Sequence, residues 1–340
     1  MRLTHEKEAI LRGLFVGIAL LVQSATSAQD SVTKDLLNRQ VGVWLSESTN
    51  SEGQRIKNYS WLWYVDELAL SRGVHFDVDA ETNKVISSLH IYGVVGGSGK
   101  QSESLYFTSE GGVGTAVSTI HGNVETTRFH GVGANKRIHS GTIKREVSEN
   151  GNMAFESWSD VFFDGNHVQS TPRNKDRKLE IETMMPLFQE GKIQPLGEPE
   201  IPESLKPLQP LIGRWESRRN DGTVALRIRW RTSAMGKLLV ERFTFFDEKE
   251  RETGGGINVT GMHPTSGRLE MWSIGKDGFM RSGGWDVVSD DSVAQRQGNN
   301  RLVRQFTDQN TMTAYWQSKT AGGYSGENGK YTLKRLVEAE

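Results

Sequence analysis

Arg72 and Arg242 are the polar residues with the clearest chemical potential. Each interrupts a run of apolar and aromatic residues, LALSRGVHFD (Leu68–Asp77) and LLVERFTFFD (Leu238–Asp247). An arginine aimed inward from such a strand could hold a carboxylate through a bidentate, charge-assisted pair. The competing reading is an exposed face or a rim ion pair, since arginines are mostly exposed. Their matching places could also reflect common ancestry alone. With the nearby aromatics they define a candidate ligand-binding set: Arg72, Trp61 and Phe76 in the first half, Arg242, Trp230 and Phe246 in the second.

Other chemistry is weaker. His75, His90, His121, His130 and His139 all fall in the first half. Together they could supply a metal site or a general base. None has HxH or HExxH spacing, so surface or strand histidines explain them better, and no metal is expected. Asp160 and Asp164 in SWSDVFFDG could form an acid–base or calcium pair. No EF-hand pattern accompanies them, and a turn at Asp164-Gly165 accounts for the spacing. GVVGGSGKQ (Gly93–Gln101) imitates a phosphate loop, but Val94 stands where the first glycine is required and Gln101 replaces the magnesium-binding hydroxyl. It reads as a hairpin turn. No nucleophile elbow or dinucleotide fingerprint is present. Catalysis by residues dispersed over strands would leave no such trace, so an enzyme is the less favoured reading.

The elements that must position these residues can be read from the whole chain. Its 41 basic and 42 acidic residues are interspersed, with a net charge of -1 and no basic stripe for nucleic acid. There is no cysteine, which removes disulfides, thiol catalysis and thiolate metal sites. The N-terminus joins Arg2, Lys7 and Arg12 to an apolar run over Leu14–Val22 and small residues at Thr26-Ser27-Ala28. That order predicts an export signal at 1–28, cleaved after Ala28, and a periplasmic or secreted protein. An apolar run of about nine residues is too short for a membrane span, which needs roughly 20.

The chain is written twice. LLNRQVGVW (Leu36–Trp44) and LQPLIGRW (Leu208–Trp215) share a leucine, a β-branched residue and Gly-x-Trp. Gly53 and Trp61 then match Gly222 and Trp230, Arg72 and Phe76 match Arg242 and Phe246, and IYGVVGGSGK falls over VTGMHPTSGR. Six of the eight prolines lie between Pro186 and Pro210. Proline fixes φ and removes an amide donor, so that stretch is a connector or a strap over one domain. Both units read as β. TVALRIRWR alternates Val224, Leu226, Ile228 and Trp230 with Arg227, Arg229 and Arg231, the mark of a strand buried on one side. Helix is expected only around Ser31–Arg39 and Glu203–Leu208, just before each Gly-x-Trp. The fold class is all-β, with two tandem antiparallel barrels or sandwiches.

The order of short leader, Gly-x-Trp, hairpin glycine, aromatic strand and Gly-containing turn resembles the lipocalin-like (calycin) architecture. More closely, it resembles uncharacterised lipocalin-like domains of exported bacterial proteins, in which a Trp and a Gly-containing turn follow, as in MWSIGKDGF (Met271–Phe279). The resemblance implies small antiparallel β-barrels with short N-terminal helices, each with a ligand cavity. It also implies that Trp44 and Trp215 close the barrel bases. A related Gly-x-Trp family of small barrels binds haem through a late histidine. Its longer Gly-x-Trp-x-Gly-x-Gly motif is absent from GVWLSES and GRWESRR. His139 and His167 are the late histidines of the first unit, none follows His263 in the second, and no cofactor is expected.

The resulting expectation is a first lipocalin-like barrel over 29–185, a Pro-rich linker over 186–207 and a second barrel over 208–340. Its leading function is noncatalytic binding of a small, partly apolar molecule inside a barrel. The alternatives are an enzyme with a dispersed site in the first barrel, or an interaction module whose barrels are filled. No protein partner can be named.

Overall fold

The structure is a computed structural model describing residues 38–49, 53–65, 70–95, 101–168, 174–194, 201–233, 236–275 and 280–336. At 63–65, 70–72, 93–95, 101 and 280 only the backbone is described. The expected export signal, most of the expected first helix and the middle of the connector lie outside the described residues.

Two closed antiparallel barrels follow one another. The first begins at β1 (Gly42–Thr49) and pairs each strand with the next as far as β8 (Ile138–Val147) and β9 (Met153–Phe163). The ring closes through β11 (Asn174–Lys178), which pairs with the start of β9 and with β1, while β10 (Asn166–Val168) extends the far end of β9. The second runs from β12 (Gly213–Arg218) to β21 (Gly323–Arg335), and these two strands pair to close it. Closure leaves neither sheet a long free edge. In β13 (Val224–Ser233) the alternate residues Val224, Leu226, Ile228 and Trp230 are buried, whereas Arg227, Arg229 and Arg231 are exposed. The period of two expected there holds from Val224 to Arg231.

Gly-x-Trp works alike in both units. The Trp44 and Trp215 indoles are buried and donate to the carbonyls of Gln40 and Leu211, at 2.8 and 2.7 Å. Gly42 and Gly213 take φ of 128° and 129°, and a Cβ at either would strike Lys178 or Arg335. Those two cations lie over the tryptophan rings, with Lys178 Nζ 5.6 Å from the Trp44 centroid and Arg335 Cζ 4.4 Å from that of Trp215. The glycine therefore clears the space in which a cation covers the tryptophan.

GVVGGSGKQ joins β4 (Val85–Val95) to its antiparallel neighbour β5 (Gln101–Thr108), with Val95 opposite Ser102. That is the topology of a hairpin connection, although residues 96–100 lie outside the described set. The connector between the units is shared by both barrels. Its first part carries α1 (Met185–Gln189) and packs Met184, Leu187 and Ile193 onto Val43, Tyr59, Val78 and Val85 on the outside of the first barrel. Gln194 bridges to Lys84, pinning the strap to the wall. The last part is a 3-10 helix, Glu203–Leu211, which delivers Leu205, Leu208 and Leu211 into the core of the second barrel. The barrels also meet directly. Tyr92, Leu105, Phe107 and Val113 pack against Leu238, Val240, Val259, Trp272 and Ile274, with the Phe107 and Trp272 rings 5.1 Å apart.

Strand register corrects the repeat alignment. Trp44 lies opposite Ser60, and Ser60 opposite His75 on β3 (Leu70–Asp79). Trp215 lies opposite Ile228, and Ile228 opposite Phe243 on β14 (Leu238–Phe246). Ser60 thus corresponds to Ile228, Leu62 to Trp230, and Trp61 to Arg229. The sequence match of Trp61 with Trp230 is one residue out of step. Because side chains alternate, such a slip moves a residue to the opposite face.

Candidate functional site

The sequence-derived binding residues whose side chains are described fall in separate places, with Trp61 and Phe76 together on one outer face. Of the five with described side chains, Trp230 alone is deep inside a barrel. Arg242 is exposed on β14 while its neighbour Glu241 is buried, so the inward polar group of that strand is the carboxylate. Phe246 lies outside the second barrel, with the Arg227 guanidinium 5.1 Å from its ring centroid. Trp61 and Phe76 face outward from the first barrel and pack beside the strap. The Arg72 side chain lies outside the described residues; its backbone pairs with Trp63 and Tyr92.

The arginines that do enter the barrels are Arg145 on β8 and Arg304 on β19 (Asn300–Asp308). They occupy equivalent positions. Asp176, two residues before the cation over Trp44, faces Ala154, and Arg145 faces Glu156 two residues further along β9. Leu333, two before Arg335, faces Met312, and Arg304 faces Ala314 two residues further along β20 (Thr311–Thr320). The sequence carries a signal for both, because TIKREV and RLVRQF each place arginine in register with inward apolar residues.

In the first barrel, Arg145 Nη1 donates to Asp176 at 2.6 Å and to Glu156 at 3.2 Å. Its guanidinium lies 5.0 Å from the Trp44 centroid. Trp158 Nε1 donates to the other Glu156 oxygen at 2.8 Å. The Nε and Nη2 groups of Arg145 have no hydrogen-bond partner among the described residues, although the side chain is only 9% exposed. A buried charged donor left unmatched costs about 1–3 kcal/mol or more, so these groups call for an acceptor.

His75 shares this interior. Its Nδ1 is 2.6 Å from Ser60 Oγ, and its pKa is lowered by desolvation, opposed by the negative charge of Glu156. The imidazole is therefore neutral near pH 7. Further along the interior, Tyr106 and His139 Nε2 are 2.8 Å apart within a cluster that includes Phe129 and Phe163. Gly114 and Gly131 make room for this tyrosine, since a Cβ at either would collide with its phenol. Burial pushes the Tyr106 phenol up and the His139 ring down. The remaining histidines go elsewhere: His90 lies between the barrels, and His121, His130 and His167 are exposed. Asp164 sits in a turn, held by Arg137 and the Ile138 amide at 2.8 Å each, and does not pair with Asp160.

The second barrel encloses something different. Leu226, Ile228, Trp230, Leu239, Met271, Trp285, Met312 and Leu333 form a dense apolar core. Within it Arg304 donates to Glu241 at 3.0 Å and to Gln295 at 2.8 Å, and Asn258 donates to Glu241 at 2.6 Å. The guanidinium lies between two indoles, 5.3 Å from the Trp230 centroid and 5.5 Å from that of Trp285. Burial raises the Glu241 pKa, against the pull of Arg304 and Asn258. Arg304 Nε, Trp230 Nε1 and Asn258 Oδ1 have no partner among the described residues. Each is a buried polar atom of the kind that an internal water satisfies.

Several matched inward positions differ in accessibility, although His75 and Phe243 are alike half-buried. Ile228, Trp230, Leu302, Ala314 and Leu333 are all buried. Their counterparts Ser60, Leu62, Ile143 and Glu156 each keep accessible surface although they point inward, and only Asp176 is buried. At these positions the first barrel is the more polar and the less completely buried.

No family model and no curated protein matches this chain. Among solved structures, Rv2717c from M. tuberculosis is similar to 44% of this chain over 98% of its own, with 12% identity and a TM-score of 0.36. A protein of unknown function from the DUF3598 family, from Nostoc punctiforme PCC 73102, covers 92% of this chain over 100% of its own, with 10% identity and a TM-score of 0.21.

Proposed function

We propose that this chain is an exported, noncatalytic binding protein of lipocalin-like build whose first barrel holds a small, partly apolar, neutral molecule. The observation that carries this reading is the pair of unpartnered N–H groups on Arg145, fixed at a buried position by Asp176 and Glu156 beside accessible inward side chains. A guanidinium clamped on one side presents its remaining donors in a fixed fork. Leu62, Ile143 and Phe129 supply apolar wall beside the hydroxyl of Ser60 and the neutral His75. One cation faces two carboxylates there, so the local charge is negative and disfavours an anionic ligand. A carbonyl or hydroxyl oxygen accepts from Arg145 without that repulsion. The second barrel, filled by its own side chains, acts as a platform. Export rests on the charged start, short apolar run and small residues of the N-terminal sequence.

The test is mass spectrometry of small molecules released from the protein purified from its native host without detergent. A recurring stoichiometric neutral compound is expected, lost in R145K, which keeps the charge but not the fork, and retained in R242A. Protein that carries no compound, or one retained equally by R145K, contradicts the reading.

A further inference from the structure

We infer that a second ligand site lies between the barrels and takes an amphiphilic molecule with a single anionic head. A cavity of about 400 Å³ opens there, within the ordinary range for small-molecule sites, roughly 300–1,000 Å³. Its walls come from three elements that no single barrel provides: the outer face of the first barrel (Trp61, Phe76), the strap (Met185, Phe188) and the end of β13 (Arg231).

The wall chemistry selects the ligand. Phe76 meets Phe188 edge-on with centroids 5.8 Å apart, giving an apolar surface of fixed shape. Met185 is 58% exposed on the strap, and a methionine can adapt its flexible thioether to an irregular apolar chain. Among the described residues no carboxylate lines the cavity, and Arg231 is the one permanently charged lining residue, exposed and without a hydrogen bond or ion pair from its side chain. His90 is committed to joining the barrels, with Nδ1 3.1 Å from Ser233 Oγ and Nε2 3.3 Å from Ser88 Oγ. An aromatic and methionine wall ending at one free guanidinium complements an apolar chain ending in one negative group. This preference is opposite to that of the first barrel's interior, where carboxylates outnumber the cation. Trp61 and Phe76 thus belong to a ligand site, on the outside of the barrel wall.

The probe is dodecanoate, titrated calorimetrically into the full chain, with dodecanol as the uncharged control of the same length. Saturable one-to-one binding of dodecanoate is expected, about tenfold tighter than dodecanol, the factor of one charge-assisted hydrogen bond. R231E and M185E change exposed side chains and so preserve the fold. Each should weaken dodecanoate about tenfold or more, while R268E, an exposed charge change elsewhere, leaves it unaltered. Absence of saturable binding, equal affinity for dodecanol, or equal losses in R231E and R268E overturns the proposal.

Discussion

At the positions where the first barrel encloses Leu62, His75, Glu156 and Asp176, the second encloses Trp230, Phe243, Ala314 and Leu333. The base positions differ in the same direction, Gln40 against Leu211, although both supply the carbonyl that receives the Gly-x-Trp indole. Strand pairing, closure and the equivalent buried arginine are shared. Only the arginine's counter-ions have moved, from β9 and β11 in the first barrel to β14 in the second. A barrel wall therefore does not decide whether its interior is lined by apolar or by polar side chains. The inward residues of alternate strand positions decide it, and they can change while the hydrogen-bonded ladder stays the same.

The largest effect should come from E241A, which leaves Arg304 buried without its carboxylate. A loss of about 3–5 kcal/mol is expected from breaking a buried pair on one side. Replacing both partners, E241M with R304L, should recover most of that loss. Denaturant unfolding followed by hydrogen exchange on peptides of each barrel checks both variants. A small effect of E241A would show that the second interior is more hydrated than its apolar contacts imply.

The equivalent pair Trp230 and Leu62 gives a sharper contrast. W230A should cost about 3–5 kcal/mol, as for a large side chain removed from a closed core. L62A should cost about 1–2 kcal/mol, below the range for enclosed leucines, because Leu62 is already partly accessible. Equal costs in the same exchange experiment would erase the distinction between the two interiors.

pH should move the barrels in opposite directions. Desolvation lowers the pKa of His75 and His139, so below the ordinary value of 6.5 the unfolded chain binds protons that the folded barrel resists. Their contribution is complete above about 6.5 and is lost as pH falls below it. In the second barrel the raised Glu241 pKa has the reverse sign. The folded carboxyl takes up its proton first, so its cost is relieved as pH falls toward 4.5. Exchange protection measured from pH 7.5 to 5.5, corrected for chemical exchange, should fall in the first barrel and hold or rise in the second. H75F, which installs the residue type found at the matching position Phe243, should flatten the first barrel's slope. The smallest effect is that of R242A, whose exposed side chain predicts a change within about 0.5 kcal/mol.

Much of this architecture was legible in the sequence. The strict alternation of TVALRIRWR gave both the strand and its buried face, and Gly-x-Trp marked the start of each barrel. Register between repeats was not legible. Gly53 and Gly222 anchor similar turns, but β12 is two residues shorter than β1 and its pairing with β13 shifts register between Ser217 and Arg218, skipping Ala225; together these displace Trp61 by one residue from its true counterpart and reverse its face. Arg72 and Arg242 stood out because aromatic residues surround them, yet in β14 both inward and outward positions carry apolar residues. Its outward Leu238 and Val240 are buried against the other barrel, so apolarity there reports an interface as well as an interior. Arg145 and Arg304 were concealed by polar neighbours such as Lys144, Glu146 and Gln305, although their inward phase was available from Ile143 and Leu302.

A crystal structure at a resolution that orders internal solvent tests the contrast between the barrels most directly. The predicted result is a water network or ligand oxygen within hydrogen-bond distance of Arg145 Nε and Nη2, continuing to Ser60 and His75, with at most one water beside Arg304. A dry first barrel in which protein atoms satisfy Arg145, or a solvent cluster filling the second, would contradict it.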